Sequence, residues 1–181
     1  MRNFLKISEG LPVSQMLQAL QLQPDLWDEN VLRTEHPESP HQQTSDIWLW
    51  FNKVESAAEV VDDIQTHPFS AWFKLPEFHE VIFDLMRFTQ ATQIGRCIIS
   101  RLEPGKRIEP HIDQGAPATF YQRFQICLQS RPGCVFRIED EQVMFKPGEI
   151  WLINNNAEHE VINNSKDDRI CIVCDLRIPK Q

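Results

Sequence analysis

The sequence predicts a mainly-β fold, an antiparallel jelly roll with helices flanking it on the N-terminal side. From Gly95 onward the apolar residues fall in short runs, broken by Glu-Pro-Gly, Arg-Pro-Gly, Lys-Pro-Gly and Asn-Asn-Ser-Lys turns. No helix-length pattern interrupts those runs, which disfavours a parallel βαβ sheet and makes a two-sheet closure the natural one. Before Gly95 the spacing is largely helical.

Leu11, Met16, Leu17 and Leu20 predict a helix over Leu11 to Leu22. Glu35 to His41, which contains two prolines, reads as a loop, and Asp46 to Asn52 as a short aromatic strand. Its alternation sets Trp48 and Trp50 on one face with Asp46; with Arg33, His41 and Thr44 nearby, that face is either a pocket wall or packing against the barrel. Ser56, with Glu59 three residues on and Val60, Val61 and Ile64 following, has the form of a capping box and predicts a second helix. A third runs from Pro76 to Gln90 with Phe78, Val81, Ile82, Leu85 and Phe88 as its buried stripe. The strands expected after it are Arg96–Leu102, Phe120–Leu128, Cys134–Ile138, Glu141–Phe145, Glu149–Asn154, His159–Asn163 and Arg169–Leu176. No linker divides the chain. Residues 1–181 read as a single domain, with 1–94 flanking a barrel core formed by 95–181.

Composition narrows the function. With 181 residues, 41% hydrophobic and a net charge of −8, the chain can bury a full core. It has no apolar run long enough to span a membrane. The acidic balance and scattered basic residues argue against a nucleic-acid partner and favour a small substrate. Met1 to Lys6 leads into Ser8 and Glu9 without a signal-peptide core, and the five cysteines are an odd number, so reduced thiols in the cytoplasm are expected. Cys171-x-x-Cys174 resembles a redox or zinc motif, but on a strand residues three apart face opposite ways, so both thiols are expected to fill core space.

The residues with chemical potential cluster late in the chain. His111 and Asp113 are two apart, so in extended backbone both side chains share a face and can bind one ion. His159 is the candidate third ligand. Two histidines and a carboxylate on one octahedral face leave the remaining positions open, as non-haem Fe(II) oxygenases require. Arg169 enters an apolar strand, where its charge is costly unless paired, and its guanidinium suits a dicarboxylate. Ser100 offers a hydroxyl on another strand. Arg123 and Gln125 alternate with Phe124 and Ile126, so their face is either solvent-facing or part of a polar site inside a core sheet.

Together, His111-x-Asp113, His159, Arg169 ten residues beyond it, Arg123-Phe-Gln125, and the stretch Trp151 to Asn163 resemble the aspartyl/asparaginyl β-hydroxylase family over roughly residues 95 to 177. The resemblance implies a double-stranded β-helix and an Fe(II)- and 2-oxoglutarate-dependent dioxygenase that uses O2, releases succinate and CO2, and hydroxylates an unactivated C–H. The substrate would be an amino acid, an amino-acid derivative or an Asp/Asn-type peptidyl residue. By position, His111, Asp113 and His159 would hold iron, Arg169 with Ser100 the distal carboxylate of 2-oxoglutarate, and Arg123 its other end. Gln125 stands where the animal peptide hydroxylases carry a histidine, and Asp113 supplies a carboxylate they lack. Glu158 or Glu160 would orient the imidazoles, and Asp113 to Thr119 would form a flap over the iron. Two rivals remain: a cupin-like metal protein or enzyme not using 2-oxoglutarate, suggested by Lys146-Pro-Gly-Glu149 with His159 and Asn163, and a metal-free binder of dicarboxylates.

Overall fold

The computed structural model describes residues 3–54 and 63–179. The helix expected from Ser56 begins outside this set. In chain order the elements are β1 (Phe4–Ser8), α1 (Ser14–Leu22), α2 (Leu32–Glu35), β2 (Thr44–Phe51), β3 (His67–Pro68), α3 (Ser70–Lys74), α4 (His79–Thr89), β4 (Gln93–Leu102), β5 (Arg107–His111), α5 (Gly115–Phe120), β6 (Gln122–Gln129), β7 (Cys134–Ile138), β8 (Glu141–Val143), β9 (Ile150–Ile153), β10 (His159–Asn163) and β11 (Arg169–Arg177).

Two antiparallel sheets face each other. The seven-stranded sheet runs β1-β9-β6-β11-β4-β2-β3 and the four-stranded sheet β5-β10-β7-β8. This is the predicted jelly roll. The large sheet also draws β1, β2 and β3 from the N-terminal part.

Strand alternation sorts the side chains into layers. On the outer face Leu49, Ile99, Ile126 and Ile172 pack with Met16 and Leu20 of α1, Trp72 of α3, and Ile82 and Leu85 of α4. Each such aliphatic side chain contributes about 1.5–3 kcal/mol of burial. The inner face packs Leu102, Cys127 and Cys171 against Phe136, Ile138 and Val161 of the small sheet. Cys171 and Cys174 thus lie in different cores, and all five cysteines are free and buried.

Several sequence expectations change. The α4 stripe ends early: Phe88 is 71% exposed, so the buried face stops at Leu85, and the helix itself ends at Thr89, where Gln90 turns left-handed (φ 55°) and Ala91 N–H caps the Met86 carbonyl. Trp48 and Trp50 do not share a face. The β2–β4 register shifts between them, a bulge that sends Trp48 inward against Phe51, Ile98 and Val173 and Trp50 outward toward Trp72. The expected flap after Asp113 is the short helix α5, and β1 and β5 are strands with no clear sequence signal.

Candidate metal centre

β10 pairs with β5 so that His159 lies directly opposite His111. The ring centroids are 4.2 Å apart. Asp113 follows two residues after β5 ends at His111, and its N–H donates to the Asn155 carbonyl at 3.3 Å, tying this stretch to the turn before His159. His111, Asp113 and His159 each offer a ligand atom, all within 4.8 Å of one another.

Backbone carbonyls orient both imidazoles. His111 Nδ1–H donates to the Glu109 carbonyl at 2.7 Å and His159 Nδ1–H to the Ala157 carbonyl at 2.9 Å. Each Nε2 therefore keeps its lone pair. This corrects the expectation for Glu158 and Glu160: the buried Glu160 carboxylate instead takes Arg107 and Arg137. His111 Nε2 is buried without a partner and lies 3.6 Å from Asp113 Oδ1.

The other oxygen of Asp113 is engaged. Asp113 Oδ2 accepts from Arg123 Nη1 and, at 3.1 Å, from Asn155 Nδ2, which leaves Oδ1 facing the imidazoles. Burial pushes the Asp113 carboxyl up, but Arg123 and the histidines outweigh it and hold the carboxyl well below the usual range. Burial likewise lowers His159, to about 4, against the opposing pull of Asp113. A neutral imidazole beside an ionised carboxylate is the protonation state a divalent cation needs.

Arg123 is held in turn by Asp175, through Nε at 2.8 Å and Nη2 at 2.9 Å. Burial disfavours its charge, yet Asp113 and Asp175 raise its pKa above the ordinary arginine value. Gly95 makes this possible, since a Cβ there would come within 2.9 Å of the Tyr121 ring and 3.0 Å of Asp175 Cβ. Asn155 and Asp175 escaped the sequence reading. Asp175 was within reach of it, because 169, 171, 173 and 175 alternate onto one strand face.

Arg169, Ser100 and Gln125 lie on the same inner face of the large sheet. Arg169 sits opposite Leu102, Cys171 opposite both Ser100 and Cys127, and Val173 opposite Gln125. Each of the three residues has a buried, unpartnered polar atom: Arg169 Nη2, Ser100 Oγ and Gln125 Oε1. Among the described residues no carboxylate pairs with Arg169, which lies 5.9 Å from the ring centres of Phe136 and of Phe145. Burial raises the Cys171 thiol, but its neighbour Cys127 and the Arg169 charge outweigh it and lower the thiol below its ordinary value. A buried guanidinium with unused donors fits a dicarboxylate, so the donor set and these orphaned atoms match iron with 2-oxoglutarate.

A cavity of about 400 Å³ opens beside His111 and Asp113. Arg33, His41, Arg96 and Arg123 line it together with Phe51 and Ile98, whereas Arg169, Ser100 and Gln125 lie apart from it.

The family model for aspartyl/asparaginyl β-hydroxylases matches residues 19–179. The chain belongs to that family. It is accordingly an oxygenase, and its cofactors are Fe(II), 2-oxoglutarate and O2. No curated protein matches the chain. The family fold recurs in solved structures of low identity. A Pseudomonas putida prolyl-4-hydroxylase is 11% identical with TM-score 0.54, over 98% of this chain and 94% of its own. A Burkholderia pseudomallei oxidoreductase of the 2OG-Fe(II) oxygenase family is 18% identical with TM-score 0.53, over 96% and 93%. A Trichoplax adhaerens prolyl hydroxylase, solved with a hypoxia inducible factor oxygen degradation domain peptide fragment, is 16% identical with TM-score 0.54, over 98% and 84%. Among the described residues no helix is long and apolar enough to cross a membrane.

Proposed function

We propose that the protein, as one domain, hydroxylates an unactivated C–H of an amino acid, an amino-acid derivative or an Asp/Asn-type peptidyl residue, releasing succinate and CO2. His111, Asp113 and His159 hold the iron. Arg169 and Ser100 take the distal carboxylate of 2-oxoglutarate, Gln125 lies on the same sheet face, and Arg123 lies toward the co-substrate's other end. The observation that carries this reading is the convergence of two oriented Nε2 atoms and one free carboxylate oxygen within 4.8 Å. Five unpaired, buried cysteines favour the reducing cytoplasm as its compartment.

Fe(II) with 2-oxoglutarate and O2 supplies the oxidising power. The protein supplies position and environment. The Glu109 and Ala157 carbonyls fix the imidazoles, while Arg123 and Asn155 hold Asp113 so that one oxygen is presented. Phe136 and Phe145 flank Arg169, which keeps its charge poorly screened and strengthens its grip on a carboxylate.

Two measurements test the assignment. Anaerobic addition of Fe(II) and 2-oxoglutarate should produce a weak visible charge-transfer band, which a cupin-like protein not using 2-oxoglutarate would not give. His111→Ala and Asp113→Ala should each abolish substrate-dependent succinate formation with the fold intact. Retained turnover in both would remove the triad from the reaction.

A further inference from the structure

We propose that Arg96 anchors a carboxylate on the substrate, so that this protein acts on a small free carboxylic acid whose reacting carbon lies at the His111–Asp113 edge of the cavity. The inference deepens the metal-centre reading and rests on it.

Three guanidiniums line the cavity, and two are already neutralised. Arg33 pairs with the buried Asp46, and Arg123 with Asp113 and Asp175. Arg96 differs. Among the described residues no carboxylate pairs with it, and its Nη2 is buried without a partner. Burial lowers its pKa to about 10, with Asp175 offsetting part of that and Arg123 adding to it. An unpaired buried charge is unfavourable unless an anion completes it.

Its side chain is also set in advance. Arg96 Nε donates to Asn52 Oδ1 at 2.7 Å, and Asn52 is itself fixed by donating to the Asp63 and Gln65 carbonyls at 2.6 and 2.9 Å. The guanidinium carbon lies 5.0 Å from the Phe51 ring centre. A donor group held this way loses little entropy when it meets a carboxylate.

Position completes the case. β4 carries Arg96, Ile98, Ser100 and Leu102 on one face by alternation, so four residue steps, or about 13 Å of strand, separate Arg96 from Ser100. One end of the strand therefore carries Ser100, assigned above to 2-oxoglutarate, and the other lines the cavity. Phe51, Ile98 and Val173 add apolar lining to the cavity that Arg96, His111 and Asp113 share. The cavity volume, about 400 Å³, falls within the range of small-molecule sites.

The test uses the full chain loaded with Mn(II) and 2-oxoglutarate under anaerobic conditions, titrated calorimetrically with free amino acids and simple carboxylic acids, their carboxamides, and an Asp-containing peptide. At least one acid should bind, with its carboxamide bound ~10-fold or more weakly. Arg96→Gln should weaken the acid by roughly 10- to 100-fold while leaving 2-oxoglutarate affinity and substrate-independent succinate formation unchanged, and Arg96→Lys should restore part of the loss. Equal binding of acid and amide overturns the inference, as does an Arg96→Gln effect on 2-oxoglutarate instead, binding of the peptide alone, or no acid binding to protein that holds 2-oxoglutarate. Failure of the unsubstituted protein to bind 2-oxoglutarate is a separate result and overturns the metal-centre reading beneath it.

Discussion

Arg123 holds the oxygen of Asp113 that is turned away from the imidazoles, and so decides which oxygen the histidines face. The same guanidinium is clamped by both oxygens of Asp175. A carboxylate on a short loop is thereby fixed to a long central strand, which preorganises it before any cation arrives.

Replacing Arg123 with Met should strand the buried Asp175 and the half-buried Asp113 and destabilise the protein by about 3–5 kcal/mol at neutral pH. Urea unfolding of the metal-free protein measures this. A change of under 1 kcal/mol would show that water reaches the pair and that the clamp is weak.

Arg169→Met should separate stability from binding. With no carboxylate partner among the described residues, the buried guanidinium contributes little to the metal-free fold, so the urea midpoint should hold or rise. Affinity for 2-oxoglutarate should fall by about 2–5 kcal/mol, read from the anaerobic visible titration. The opposite pattern, lost stability with unchanged affinity, would make Arg169 a structural residue.

Acid should destabilise the metal-free protein in two stages. His159 titrates at about 4 in the fold against an ordinary 6.5, so between those values the unfolded chain binds a proton the folded one refuses, and stability falls with pH. The gap corresponds to about 3 kcal/mol at most. His41, also depressed by burial, acts in the same direction. Asp113 is a depressed carboxyl, so its contribution is present above its ordinary value of 3.8 and is lost only as pH falls below that. Thermal melts from pH 8 to 3 check this, and His159→Gln should flatten the stage above pH 4.

Much of the fold was legible because its signals are local. Alternating apolar residues and Pro-Gly turns place β7, β10 and β11, and helical spacing places α1 and α4, since side-chain periodicity depends only on backbone type. β5 was harder: Arg107 to His111 mixes charged residues with a proline and forms a strand only because β10 is there to pair with it. The bulge in β2 has the same origin, an extra residue tolerated against β4 that no propensity announces.

The sequence by itself determined the chemistry available: two histidines, an aspartate two residues from the first, and arginines entering apolar strands. Tertiary structure alone decided that His159 sits opposite His111, that carbonyls rather than Glu158 or Glu160 turn the rings, and that among the described residues no carboxylate forms an ion pair with Arg96 while Arg33 and Arg123 have theirs. Register and side-chain pairing depend on which distant segments meet, and that is set by burial of the whole core rather than by any local run of residues.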